Sequence, residues 1–197
     1  AVNALSEVFH VRSVRESKYS EATFERGGLK DQNKGGCKNE PDGTFVRFIP
    51  DHKIFKKALF LDEIIDKRLK HYAYLNSGLR LSYNGKKYYS RKGLLDLIEE
   101  EIGDQAIYPP VYFATKTLEF SFTHSNSRSG ETFFSFVNGQ FTSDGGTHLS
   151  AYREGLLKAV NEYTKGKFDG DDVRESMVGA ISIRLQDPVF ESQTKNK

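Results

Sequence analysis

The period of the apolar positions along this chain switches repeatedly between two and about three and a half, which predicts a mixture of strands and helices. Residues 7–15 and 19–26 alternate as strands on either side of Glu16-Ser17-Lys18, the layout of an antiparallel hairpin. Residues 27–43, rich in Gly, Lys, Asp and Asn, read as a long mobile loop. A strand over 44–48 follows, closed by Pro50.

Leu61, Ile64, Ile65, Leu69, Tyr72 and Leu75 then recur at helical spacing, and Asn76-Ser77-Gly78 supplies the stop, with Gly78 suited to a left-handed cap. A second hairpin over 79–83 and 87–89 turns on Asn84-Gly85, the preferred pair for a type I′ turn. Leu94, Leu95, Leu97, Ile98 and Ile102 predict a short helix, and Pro109-Pro110 breaks the chain after it.

Leu118, Phe120 and Phe122 fall on one face of a strand, and residues 132–137 pair with it across the polar turn 125–130. Leu149, Tyr152, Leu156, Val160 and Tyr163 make a helical stripe with Thr147 as its N-cap. Ile181, Ile183 and Leu185 share a face of a last strand, which Pro188 ends. The expected class is α+β, with a boundary near residue 91.

Composition narrows the class without naming a chemistry. A hydrophobic share of 37% with 28% charged residues describes an ordinary folded chain, and no apolar run approaches the ~18–20 residues a bilayer crossing needs. The first residues lack the basic-then-apolar layout of a secretory signal. The 29 basic residues barely exceed the 27 acidic ones, so any nucleic-acid contact would have to be local. Cys37 is the single cysteine, which excludes an intrachain disulfide; its glycine- and lysine-rich setting reads as a flexible loop in a reducing, cytoplasmic compartment. Ala1–Ser6 looks like the middle of a helix and Ser192–Lys197 follows a strand without a terminating element, so both ends are expected to be cuts in a longer protein.

Spacing alone exposes no active site. His10, His52, His71, His124 and His148 are dispersed, no metal-spaced pair exists, and neither a Walker A loop nor a nucleophile elbow occurs. The acidic runs Asp171-Asp172 and Glu99-Glu100-Glu101 read as solvated surface.

Three segments carry more. Asn138-Gly139-Gln140-Phe141-Thr142-Ser143-Asp144-Gly145-Gly146-Thr147-His148 fits the pattern N-x-x-x-T-x-x-G-G-T-H. Gly170-Asp171-Asp172-Val173-Arg174-Glu175 fits G-[ED]-D-x-R-[EQ], and Asp187-Pro188-Val189-Phe190-Glu191-Ser192-Gln193-Thr194-Lys195 fits D-P-x-F-x-x-Q-T-K. In this order and spacing they resemble the ATPase (B) subunit of bacterial type II DNA topoisomerases, that is, the B subunits of gyrase and of topoisomerase IV. Ala1–Ser6 is similar to that family's V-V-N-A-L-S helix, and Gly43–Phe48 to its G-T-x-V-x-F strand. Asn84-Gly85-Lys86 and Ser135–Gly139 lean toward topoisomerase IV.

The resemblance implies the C-terminal part of a GHKL ATP-binding domain over 1–91. A ribosomal S5 domain 2-like transducer, a sheet with helices on one side, would follow over 92–197 and end in the Gln-Thr-Lys loop. Lys195 matches the lysine that reaches the γ-phosphate of ATP, and Gln193 the glutamine beside it. The family gives these two a catalytic role; read without it, they are a frayed polar tail. Thr44 matches the threonine at the floor of the adenine pocket, or else is an ordinary strand residue. Arg15 matches a rim arginine also used by aminocoumarin inhibitors, or else is an exposed strand-end cation. Gly145 and Gly146 would let the backbone turn tightly before the helix. Arg153, Lys158, Lys165 and Lys167 could face DNA or simply water.

ATP is thus the implied nucleotide, with Mg²⁺ held by residues upstream of this chain, as are the general-base glutamate, the D-x-G-x-G motif and the glycine-rich lid. The piece alone is not expected to hydrolyse ATP. The implied partners are double-stranded DNA, the DNA-cleaving A-type subunit and a second copy of the ATPase subunit, with no membrane involved. Two other readings stay open: a non-catalytic S5-like nucleic-acid-binding module, and a mismatch-repair GHKL ATPase.

Overall fold

A computed structural model describes residues 1–197, which divide into two compact units, Ala1–Leu61 and Asp62–Lys197. The first unit is a single antiparallel sheet built from β1 (Ser6–Arg15), β2 (Lys18–Glu25), β3 (Gly28–Gly36) and β4 (Gly43–Pro50), in the order β3-β2-β1-β4. The β1–β2 hairpin expected from the alternation is present. Its two turn residues, Glu16 and Ser17, have φ of 52° and 59°, the left-handed pair of a type I′ turn.

The expected loop over 27–43 is instead largely strand β3, whose register with β2 runs from Gly36 opposite Lys18 to Gly28 opposite Glu25. Its side chains are exposed throughout, so no apolar alternation marks it; backbone pairing to β2 orders it. Arg26 and Gly27, with φ of 47° and 83°, form the tight turn that feeds it. Cys37 is buried rather than mobile, and its amide donates to the Ser17 carbonyl at 2.9 Å. Ala1–Ser6 is not a helix interior: a 3-10 turn spans Asn3–Leu5, and Ser6 already belongs to β1.

The second unit begins with α1 (Asp62–Leu75), which Asn76-Ser77-Gly78 terminates as expected, Gly78 at φ 87°. The small hairpin β5 (Leu81–Tyr83) and β6 (Lys86–Tyr88) turns on Asn84 and Gly85 at φ 48° and 82°. After α2 (Leu94–Ile102) come β7 (Val111–Ala114), β8 (Leu118–His124), β9 (Thr132–Val137) and β10 (Gln140–Phe141). Then α3 (Thr147–Thr164), α4 (Gly170–Arg174) and β11 (Met177–Ile183) complete the unit. No helix is long and apolar enough to cross a membrane.

The five-stranded sheet has the order β10-β9-β11-β8-β7, so β9 does not pair with β8. Strand β11 lies between them, antiparallel to β8 and parallel to β9. It is the strand best suited to the centre, because Met177, Val178, Ala180 and Ile181 bury apolar side chains on both faces while Gly179 leaves room for its neighbours.

Helices cover both faces of this sheet, not one. On the first face Tyr74 and Leu75 of α1 and Leu94, Leu97, Ile98 and Ile102 of α2 pack with Phe136, Val178 and Ala180. On the second, Tyr152 of α3 meets Phe120, Phe122 and Phe133 with ring centroids 5.2–6.4 Å apart. Consecutive residues of a strand point to opposite faces, which is how β9 serves both layers through Phe133 and Phe134. The α3 stripe runs out early, since Tyr163 is 91% exposed. Leu185 is also exposed and lies past the end of β11.

Candidate functional site

The C-terminal loop leaves β11 through a short clamp. Asn138, in the turn between β9 and β10, donates its side-chain amide to the Leu185 carbonyl and accepts from the Leu185 amide, both at 2.8 Å. Beyond Pro188 the chain closes on itself: the Lys195 amide donates to the Ser192 carbonyl at 3.0 Å, and the hydroxyls of Ser192 and Thr194 lie 2.7 Å apart. Lys197 forms an ion pair with Glu191 at 3.0 Å. Residues 191–197 are all exposed.

Lys195 sits at φ 57° and is exposed. Its ammonium lies 5.5 Å from the centroid of the Phe190 ring and has no carboxylate partner. At an exposed site such a cation–π contact is worth only about 0.5–1 kcal/mol, so the charge is free to take an anion. The Gln193 amide makes no hydrogen bond within the chain and is equally available. Thr194 and Asn196 also form one wall of a cleft of about 390 Å³ whose other wall includes Lys67, Arg68 and His71 of α1. His71 is packed among Phe134, Phe136 and Phe141, and burial, reinforced by Lys67 and Arg68, lowers its pKa to about 4.

One bond ties this loop to the body of the unit: the Asp144 amide donates to the Asn196 carbonyl at 3.0 Å. Asp144 belongs to the turn before α3, where Gly145 and Gly146 adopt φ of 74° and 150°. Gly146, not Thr147, is the N-cap residue of α3, and no side chain caps that end. The hydroxyl of Ser135 reaches both Thr142 Oγ1, at 2.7 Å, and His148 Nε2. Ser135 and Thr142 are fully buried, and burial lowers the His148 pKa.

Thr44 and Arg15 lie in the first unit. Thr44 on β4 stands opposite Ser13 on β1 with hydroxyls 3.5 Å apart, and Arg15 is two residues further along the same face of β1. The fold therefore brings these two together at one sheet end. Thr44 is exposed, and Arg15, whose Nε is 3.5 Å from Glu16 Oε1, is also exposed.

Among the α3 cations, Arg153 is engaged by Glu131 through two hydrogen bonds, and Lys158 lies 3.9 Å from Glu162. Lys165 and Lys167 have no carboxylate within ion-pair distance. The acidic runs are partnered as well as exposed. Asp172 completes a capping box with Asp169, while Glu99, Glu100 and Glu101 bind Lys92, Lys70 and Arg128. Glu7, Asp51 and His52 converge in the manner of metal ligands, but Arg26 already neutralises the carboxylates.

The sequence profile of the family described as DNA gyrase B matches residues 87–197, more than half of the chain. The chain belongs to the DNA gyrase B family. Among relatives, the B subunit of DNA topoisomerase 4 from Borreliella burgdorferi is 46% identical over all of this chain, which covers 33% of that protein. The B subunit of DNA gyrase from Archaeoglobus fulgidus is 34% identical over the whole chain, which covers 34% of it. The chain thus spans about a third of the length of the curated relatives it matches. The 43K ATPase domain of Thermus thermophilus gyrase B, solved with an aminocoumarin, superposes with a TM-score of 0.78 at 29% identity. That match covers 96% of this chain and 58% of that one. The α+β class and the GHKL ATPase-region architecture expected from the motifs are those of the gyrase B family.

The Ser135–Thr142–His148 group is not legible in the motifs. The histidine of the Gly-Gly-Thr-His segment counts there as one of five scattered histidines, because nothing in sequence links it to a serine on a different strand. Asp51 is hidden for a similar reason: its hydrogen-bond partner Arg26 lies 25 residues away in the chain.

Proposed function

We propose that this chain is part of the ATPase subunit of a bacterial type II DNA topoisomerase, acting in ATP-dependent DNA strand passage. Topoisomerase IV is favoured over gyrase, and the 46% identity to the B. burgdorferi protein against 34% to the A. fulgidus one supports that preference. The intact protein binds and hydrolyses ATP, with Mg²⁺ held by residues outside this chain, and couples the cycle to closure of a gate between two copies. Its partners are double-stranded DNA and the DNA-cleaving A-type subunit, which places it in the cytoplasm. Residues 1–91 are then the end of the ATP-binding domain and 92–197 the transducer; the family match, which begins at residue 87, supports that division.

Lys195 is the group that answers to the γ-phosphate, with Gln193 as a neutral donor to the same phosphate. Thr44 serves the adenine pocket and Arg15 its rim. The observation that carries this reading is the Gln-Thr-Lys loop, presented exposed at the end of a transducer strand with its ammonium free of any carboxylate. An ammonium on a flexible stem can follow a phosphate and lose its partner after hydrolysis. In the whole ATPase protein, Lys195→Ala is expected to lower kcat for ATP roughly 100-fold. Unchanged turnover would remove Lys195 from the reaction.

A further inference from the structure

We propose that His148 is a positioning residue for Lys195, acting through Ser135 and Thr142 on the turn that holds the C-terminal loop. The proposal rests on the reading of Lys195 as the phosphate-sensing group.

The direction of the hydrogen bonds follows from the number of protons available. The Thr142 hydroxyl donates to the Ser135 carbonyl at 2.9 Å, so it can only accept from the Ser135 hydroxyl, 2.7 Å away. The Ser135 proton is thereby committed, and its oxygen must accept from His148 Nε2–H. The chain runs from imidazole to Ser135 hydroxyl, to Thr142 hydroxyl, to Ser135 carbonyl. The ring, with its proton on Nε2, supplies the donor that the buried Ser135 oxygen accepts from.

This chain joins three elements: β9 through Ser135, the turn through Thr142 and the first turn of α3 through His148. Two backbone bonds make the turn rigid from the same anchor, Thr142 N–H to the Ser135 carbonyl at 2.8 Å and Gly145 N–H to the Thr142 carbonyl at 3.0 Å. Between them lies Asp144, whose amide holds Asn196, the residue after Lys195, at 3.0 Å. The other hydrogen bonds of residues 190–197 stay inside the loop. The origin from which the lysine stem extends is therefore set by this turn. Gly146 leaves room for the ring: a Cβ there would lie 3.0 Å from His148 Nδ1, closer than a relaxed contact.

A lysine whose loop is loosened still exists, but it spends less time where a transferring phosphoryl group needs it. The loss should therefore appear in kcat more than in nucleotide binding. The test uses the whole ATPase protein and a cycle of His148→Phe, Lys195→Ala and the double variant, with steady-state ATPase as the readout. His148→Phe is expected to lower kcat about tenfold while KM for ATP moves less than about threefold. His148→Gln, whose amide can reach the Nε2 position, should recover most of the loss. The double variant should be no slower than Lys195→Ala alone, and amide exchange at Asp144 should speed up in His148→Phe.

Multiplying effects in the double variant, or a folded His148→Phe with unaltered kcat, would overturn the positioning role while leaving Lys195 in place. Normal turnover in Lys195→Ala would instead overturn the reading beneath it. If His148→Phe does not fold, Ser135→Ala breaks the same chain with a smaller change in volume and carries the same cycle.

Discussion

Arg26 Nε lies 2.7 Å from Asp51 Oδ2, in a pair where 42% of the arginine side chain is exposed but only 3% of the aspartate. The Lys53 amide and Arg26 hold the carboxyl below its usual pKa against the opposing effect of burial. The Asp51 amide also donates to the Leu5 carbonyl at 3.0 Å, so one residue fastens the end of β4 to the start of β1.

Removing the exposed partner should therefore cost more than exposure alone would suggest, because the carboxylate left behind is buried. Arg26→Ala is expected to lower the melting temperature by roughly 5–10 °C at neutral pH. A depressed carboxyl pKa stabilises the fold above the unfolded pKa and ceases to do so as pH falls through the folded value. The gap between wild type and variant should consequently close on acidification. Calorimetry at neutral pH and near pH 3 checks both statements.

Gly179 lies at the centre of β11 with no room for a side chain. A Cβ would collide with the edge of the Phe133 ring and sit 3.1 Å from Phe122 Cβ, both in the layer that meets Tyr152. Gly179→Val should overpack that layer and destabilise the protein by about 1–3 kcal/mol. Urea unfolding would show a lower midpoint, and no change would mean that α3 can move off the sheet at little cost.

His71 gives a pH dependence of defined sign. Its pKa is about 4 in the fold, against an ordinary value of 6.5. Between those values the unfolded chain binds a proton that the folded chain refuses, so stability must fall as pH is lowered through this window. His71→Phe, which keeps the aromatic contacts, should flatten the curve between about pH 6.5 and pH 4. Since the carboxylates titrate at the lower end, the difference between variant and wild type is the quantity to measure.

What could be read from sequence followed the strength of the local signal. Asn84-Gly85 specified its turn because both positions need positive φ, and α3 was legible from the spacing of Leu149, Tyr152 and Leu156. Strand β3 was not, since Gly28–Gly36 has no buried face to leave an alternation. Nor was the β9–β11 pairing, because two strands adjacent in the chain more often pair with each other, and nothing local announces a third strand between them. The Thr147 cap failed on a single residue, with Gly146 taking that place and a backbone angle open only to glycine. Thr44 and Arg15 stand near one another because β1 and β4 pair in register, whereas the Ser135–His148 contact depends wholly on tertiary folding.

The slot filled by β11 imposes an order on biosynthesis. Strands β8 and β9 leave the ribosome one after the other but are not neighbours in the fold, and the segment that fits between them emerges about forty residues later. Until Met177–Ile183 arrives, each presents an open edge and half of an aromatic layer to whatever is nearby. A nascent chain paused before Met177 would therefore be a natural client for chaperones.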